Sequence, residues 1–405
     1  MDLTDLDLFA GGFPHEAFTA LRATAPVWWQ EPTGHTPGGV GFWVVSGHPE
    51  VLAAVSDPDT FSSERAPGAP GGGTLIQDLP FGSAAGVLLN MTDGSRHHHR
   101  RRVVTPPVAP RSLAAMEPEL RRRTAAILDG LEGRDECDFL SEVAVELPLQ
   151  ATAVLLGVPE EDRHQLMRWT NATLDYEGRE LGESSPAADQ AAADAAAYGI
   201  ALVDRRRAEG GHDMLSLLCR SVGPDGLAPS EGELLMFFSL LIAAGSETTR
   251  NAIALGLDAL VRHPDQMAAL RRRPELLPGA TEEILRWSSP TLYNRRTATR
   301  DSELAGRTVR AGEKVTLWWA SANRDDRVFE DPFRFDVSRH PNPHLAFGSR
   351  SHFCLGANLA RMEIRIVFEE LLGRFESFEL AGPVERVRTN KHAGVRRMPV
   401  RLHRR

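Results

Sequence analysis

The sequence predicts a mainly α-helical chain with small β-sheets, and three stretches carry that prediction. Ala, Leu, Glu and Arg recur in helical periods from Arg111 to about Gly211, a very long apolar helix runs from Ser230 to about His263, and a final long helix starts at about Leu355. Ahead of them, Ala25 to Glu31 (APVWWQE) and Gly41 to Gly47 (GFWVVSG) are short aromatic and β-branched runs bounded by Gly and Pro. They read as strands of a small sheet within about residues 1–65. Ala66 to Gly86 is rich in Gly, Pro and Ala but carries Leu75, Ile76 and Leu79, which marks a long loop of the kind that is usually functional or disordered. The helical stretch after Arg111 breaks near Gly182 to Pro186, so residues 66–86 and 172–190 are expected to be the most mobile parts.

Ser230 can cap the long helix with Glu233 three residues on, and Pro264 stops it. At ~1.5 Å per residue it reaches on the order of 50 Å. Its middle, LLMFFSLLIAAG, is apolar on all sides yet too short to span a bilayer, so it should be a buried core helix. After it come a helix containing Glu283 and Arg286, a strand pair around Ala311-Gly312 and a Pro-rich meander from Asp331 to Pro343.

With 42% hydrophobic and 25% charged residues the chain has an ordinary globular composition, and its formal charge of −9 weighs against nucleic acid or anionic membrane as a partner. Its 405 residues exceed the ~250–300 at which cores usually divide. No internal repeat or separating linker is visible, so one domain over residues 1–405 is expected, built round an internal cofactor, with the helical part from about residue 90 to the end. Cys137, Cys219 and Cys354 are too far apart for a zinc site or a disulfide framework, which points to a reducing compartment. The acidic start MDLTDLDLFAGGF lacks a basic n-region and a long apolar run, so the expectation is a cytoplasmic monomer without a membrane anchor.

Chemistry concentrates at Cys354, where FGSRSHFCLGANLAR leads from a glycine-flanked loop into a helix. A thiolate at a helix start faces free backbone N–H groups and the positive end of the dipole, which favour the anion and make the sulfur a good iron ligand. On the long helix, Gly245 lets a flat cofactor and O₂ approach the backbone beside Ala244, Thr248 can donate to bound oxygen, and Glu247 can link it to solvent protons. Glu283 and Arg286 share a helix face at a pairing distance, as do His97 and Arg101 in the run RHHHRRR.

Phe347, Gly348, His352, Cys354 and Gly356 resemble the haem-binding loop of the cytochrome P-450 superfamily, Phe-Gly-x-Gly-x-His-x-Cys-x-Gly, except that Arg350 replaces the second Gly. Ala244-Gly245-Ser246-Glu247-Thr248-Thr249 resembles that family's oxygen-activation signature, and Glu283-x-x-Arg286 and His97-x-x-x-Arg101 fall in the required order. The resemblance covers about residue 90 to the end. It implies a haem b (iron protoporphyrin IX) held by Cys354 as axial ligand, with propionates held by His97, Arg101, Arg296 and His352 and the haem loop and long helix contributing Phe347, Gly348, Gly356, Ala244 and Gly245. It also implies a structural lock of Glu283 and Arg286 to Arg334 or Arg339, and a substrate pocket of Leu75, Ile76, Phe237, Leu241, Ala244, Leu292 and Val395.

The function implied is a monooxygenase that inserts one oxygen atom from O₂ into an apolar small molecule of steroid, terpenoid, fatty-acid or polyketide type. AGSETTRNA and PNPHLAF look most like actinobacterial members acting on sterols and branched lipids, with similar phrases in antibiotic pathways. Two other uses share the motifs: oxidative coupling or dehydrogenation by the same oxidant, and a catalytically silent haem protein used for recruitment. Retention of Glu247 and Thr248 favours oxygen activation over the last. No flavin or iron–sulfur motif occurs, so electrons are expected from an acidic ferredoxin with its ferredoxin reductase, docking through exposed Arg100, Arg102 and Arg350.

Overall fold

The computed structural model describes residues 1–174 and 185–404. Residues 175–184, the break expected at Gly182 and most of the stretch 172–190 expected to be mobile, lie outside the described residues. Helices dominate. Those that build the site are α1 (Gly94–Val104), α2 (Pro110–Asp129), α3 (Glu146–Leu155), α4 (Glu231–Arg262), α5 (Leu277–Ser288) and α6 (Ala357–Arg374). Among the described residues no helix is long and apolar enough to cross a membrane.

The long helix is α4, closed by a capping box in which Ser230 Oγ accepts from the Glu233 N–H at 3.2 Å while Glu233 Oε2 accepts from the Ser230 N–H at 2.9 Å. From Thr249 to Leu260 it is buried all round, packed against α3 and α5, because it runs through the main core.

The five-stranded sheet draws on distant parts of the chain. Val27–Gln30 (β1), Phe42–Val45 (β2), Phe61–Ser62 (β3), Tyr293–Ala298 (β4) and Lys314–Trp318 (β5) lie in the order β1-β2-β5-β4-β3. β5 runs parallel to β2, pairing Lys314 with Phe42, and antiparallel to β4, pairing Lys314 with Thr297. Alternation sends Phe42, Val44 and Trp318 into one apolar cluster and Val45, Val315 and Leu317 into another on the opposite face. The strands flanking Ala311-Gly312 do not pair with each other, because Arg307–Val309 pairs with Ser302–Leu304 while β5, buried at every position, takes the centre of the sheet.

From Asn323 to Ser349 the chain forms no regular element, and a buried pair holds it. Arg286 and Glu283, both 0% exposed, meet through two bonds of 2.7 Å. Arg286 also donates to the carbonyls of Asn323, Pro332 and Arg334 at 2.9, 2.8 and 3.1 Å. Glu283 accepts from the Asp336 N–H at 2.9 Å, from Asn342 Nδ2 at 3.1 Å and from the Arg339 guanidinium at 3.2 Å. Arg339 is therefore the meander arginine of this cluster, and Arg334 contributes its carbonyl rather than its side chain.

Removing one member of a buried, fully bonded ion pair leaves the other charge uncompensated, at about 3–5 kcal/mol. Glu283→Ala should lose stability of that order in chemical denaturation, and a loss below about 1 kcal/mol would show that the pair is dispensable.

Candidate active site

α4, α5, β4 and the loop before α6 enclose a cavity of about 400 Å³ with Cys354 in its wall. The Cys354 N–H donates to the Phe347 carbonyl at 2.9 Å, closing the loop on itself. Gly348 makes the bend at φ +66°, a conformation that favours glycine, and a short turn over Arg350–His352 follows. The helix does not begin directly after the cysteine as expected, since Gly356 is its N-cap. The sulfur lies deep in the protein but is open to the cavity, and burial raises its pKa against the lowering effects of the Gly356 N–H, Arg101 and Arg361. The helix start thus moderates the desolvation of the thiol without overcoming it.

α4 presents Leu240, Ala243, Ala244, Glu247 and Thr248 to the cavity at three- and four-residue spacing. Thr248 Oγ1 donates to the Ala244 carbonyl at 2.9 Å. Glu247 is 9% exposed, with its Oε2 3.9 Å from His392 Nε2. Gly245 also lines the cavity, but the room left by its missing side chain is taken by α3, for a Cβ there would lie 2.2 Å from Thr152 Oγ1. Close helix packing, in addition to access for a ligand, therefore requires glycine at this position.

Basic groups gather at β4 and the start of α1. Arg296 is 5% exposed, and among the described residues its Nη1 donates only to the neighbouring Arg295 carbonyl, at 2.9 Å; burial pulls its pKa down to about 10. The His97 and His352 rings lie 4.2 Å apart, and burial lowers both pKa values, that of His97 to about 3. His352 Nε2 is 3.1 Å from Asp93 Oδ1, and Asp93 Oδ2 accepts from Ser62 Oγ at 2.5 Å. Arg101 is half-buried and close enough to Cys354 for each to shift the other's pKa.

A flat apolar group bearing two carboxylates, as haem b does, fits this wall. A buried thiol supplies a metal ligand, Ala244, Ala346, Phe347, Leu359 and Ile364 supply apolar surface, and Arg296 is a buried cation without a carboxylate partner among the described residues.

Of the residues expected in a substrate pocket, Leu75 and Ala244 lie in this wall and the other five do not. Phe237 and Val395 are buried in the main core, and Ile76 and Leu292 in the cluster around Trp318. Leu241, one residue out of phase with the cavity face of α4, packs against the main core. The loop after Ala66 is less free than its Gly and Pro content suggests. Arg295 donates to the Leu75 carbonyl at 3.2 Å and to Asp78 at 2.6 Å, and Lys314 donates to the Ile76 carbonyl at 2.8 Å.

Sequence reasoning missed Asp93, Lys391, His392 and Glu363. Asp93 had a weak signal, being a carboxylate four residues before His97 at a helix start. Glu363 lines the cavity from α6, its Oε1 without a partner among the described residues and its pKa raised well above the usual range by burial. Sequence offered no hint, since Arg361 and Arg365 flank it as on an ordinary charged helix. Lys391 and His392 reach the wall through tertiary folding alone.

Residues 202–400 match the sequence model of the Cytochrome P-450 family. The chain is similar to cytochrome P-450 126 of Mycobacterium tuberculosis, 47% identical over 405 residues, covering 99% of this chain and 97% of that protein. It is also similar to the methyl-branched lipid omega-hydroxylase of Mycobacterium tuberculosis, 38% identical with coverage of 95% and 90%. A Mycobacterium marinum cytochrome P-450 solved in complex with pseudoionone superposes with a TM-score of 0.88 at 32% identity, covering 98% of this chain and 97% of that one.

Arg350, which replaces a glycine of the haem-loop pattern, adopts φ +60° and reaches Ser56 Oγ with its Nε at 3.2 Å. A side chain in this region costs roughly 1–2 kcal/mol, partly offset by the smaller unfolded-state entropy of a non-glycine residue. Arg350→Gly should be more stable than Arg350→Ala by about 1 kcal/mol, and equal denaturation midpoints would show that the turn carries no strain.

Proposed function

The chain belongs to the cytochrome P-450 family, a monooxygenase with haem b as its cofactor, and we propose that it oxidises an apolar, branched small molecule of terpenoid, steroid, fatty-acid or polyketide type. The observation that carries this reading is a buried cysteine, Cys354, opening into a largely apolar cavity that also holds Glu247 and Thr248. When bound, the haem supplies the oxidising power drawn from O₂ and two electrons.

The whole chain acts as one domain in this reading. A haem bound here would be held through its iron by Cys354, in a loop shaped by Phe347, Gly348 and Gly356, and its carboxylates would be held by Arg296, His97, His352 and Arg101. Leu75, Leu240, Ala243 and Ala244 orient an apolar substrate and keep water from it. Glu247 and Thr248 move protons. Thr248 Oγ1 donates its hydrogen bond to the Ala244 carbonyl, and rotation about χ1 would turn that donor into the cavity. This pair in the wall favours oxygen activation over a silent recruitment role. The methyl-branched lipid and pseudoionone named for similar proteins support a branched apolar substrate.

Electrons come from a ferredoxin with its reductase in the reducing cytoplasm. Arg102 and Arg350 are exposed and suited to an acidic partner. Arg100 is withdrawn from that surface, because its guanidinium binds Glu233 and the Val87 carbonyl.

Two measurements test this reading. Cys354→Ser should abolish the red-shifted thiolate band of the ferrous–carbon monoxide spectrum; its survival would remove Cys354 as the ligand. In spectral titrations, methyl-branched fatty acids or acyclic terpenoids should shift the haem absorption of the wild-type protein, whereas sugars and nucleotides should not. Silence from every apolar class would overturn the substrate assignment.

A further inference from the structure

Lys391 and His392 enter the cavity wall from a segment to which the chemistry above gives no task. That segment is held on both sides. The Leu292 N–H donates to the Lys391 carbonyl and the Ala393 N–H to the Pro290 carbonyl, each at 2.9 Å, and the Val395 N–H donates to Asn251 Oδ1 of α4 at 3.1 Å. Lys391 is fixed as well, its Nζ donating to the Tyr293 carbonyl at 2.6 Å and to Asn294 Oδ1 at 2.7 Å while lying over the Tyr293 ring. Between these anchors the His392 imidazole faces α4, with its Nε2 3.9 Å from Glu247 Oε2 and side-chain exposures of 17% and 9% for the two residues.

We propose that His392 positions Glu247 and feeds it protons, so that the relay has three members rather than two. The proposal rests on the reading that Glu247 and Thr248 deliver protons. In the step itself, the N–H bond at His392 Nε2 breaks and an O–H bond forms at Glu247 Oε2. The carboxyl proton then passes to Thr248 Oγ1 as that hydroxyl releases its own proton into the cavity, and a hydronium ion delivered from solvent reprotonates His392 Nε2, leaving water. No electrons change hands. The separation is about 1 Å longer than an N–H···O bond, a gap that a small side-chain rotation closes, and catalytic hydrogen bonds commonly tighten only with substrate in place.

Charge around His392 suits a transient proton carrier. The groups facing it are Glu247 and Arg250 from α4 and Lys391 from its own segment. Burial lowers its pKa most, Glu247 and the Pro290 backbone oppose that, and Lys391 and Arg250 lower it further. An imidazole that is readily deprotonated, beside one carboxylate, releases its proton in that direction. Lys391 is itself pushed down to about 7, chiefly by burial, so the repulsion it exerts on His392 weakens as pH rises through neutrality.

The test uses the holoenzyme with isotope-labelled histidine in its diamagnetic ferrous–carbon monoxide form. The His392 resonance, assigned by its loss in His392→Gln, is titrated in the wild type and in Glu247→Gln. Loss of the facing carboxylate should weaken proton binding at His392 about tenfold, one unit of pKa. An unchanged titration would overturn the pairing. In turnover, His392→Gln should lower the coupling of reductant to product about tenfold, raise peroxide and flatten the pH profile of coupling, while substrate KM and the carbon monoxide spectrum stay constant. If Glu247→Gln and Thr248→Ala uncouple the enzyme but His392→Gln does not, the histidine step fails alone. If none of the three changes coupling, the underlying proton reading falls with it.

Discussion

An arginine without solvent organises the site. Arg286 binds both oxygens of Glu283 and then three backbone carbonyls of a segment that has no ladder of its own. Irregular backbone is tolerated inside a protein only where its polar groups find partners, and this one guanidinium supplies several at once. The effect passes along the chain. Asn323, whose carbonyl Arg286 binds, accepts the Leu345 N–H at 2.7 Å, and Leu345 in turn accepts the Gly348 N–H that begins the cysteine loop. A charge pair far from the reacting atoms thus sets the place from which Cys354 meets the cavity.

The cavity unites two demands that normally conflict. Its surface must be apolar enough to hold a greasy substrate and a macrocycle, yet it carries Arg296, Lys391, Glu247 and Glu363. The protein meets the second demand unevenly. Lys391 donates to three neutral acceptors, whereas among the described residues Arg296 donates to one carbonyl. A buried cation so sparsely bonded favours binding of anions, so the carboxylates of a haem would stabilise the folded chain as well as dock to it.

What could be read from sequence was what local chemistry determines. The capping box of α4, the glycine bend at Gly348, the Glu283–Arg286 pair and the gathering of His97, Arg296 and His352 follow from spacing or from the motif resemblance. What escaped was set by tertiary partners. The side that a core helix turns to a cavity cannot be chosen when all its sides are apolar, which is why Leu240 and Ala243 were missed and Phe237 and Leu241 misplaced. Lys391 and His392 carry no local signal, because a strand about one hundred residues earlier in the chain gives them their surroundings. Gly245 was read for its purpose toward the ligand alone, and the packing of Thr152 from α3 against it carried no local signal.

The sheets impose an order on biosynthesis. β2, near the start of the chain, has β5 as its inner neighbour, and Pro399–Arg404 lies between Phe375–Leu380 and Glu136–Asp138. Each central strand is made long after one of its partners. A ribosome delivering residues at ~5–20 per second leaves the early strands with open edges for many seconds. The wall that carries Lys391 and His392 cannot close until that stretch has emerged. Closure of the wall round a prosthetic group therefore waits for that stretch, and until then the open edges are the part of the nascent chain that most needs a chaperone's cover.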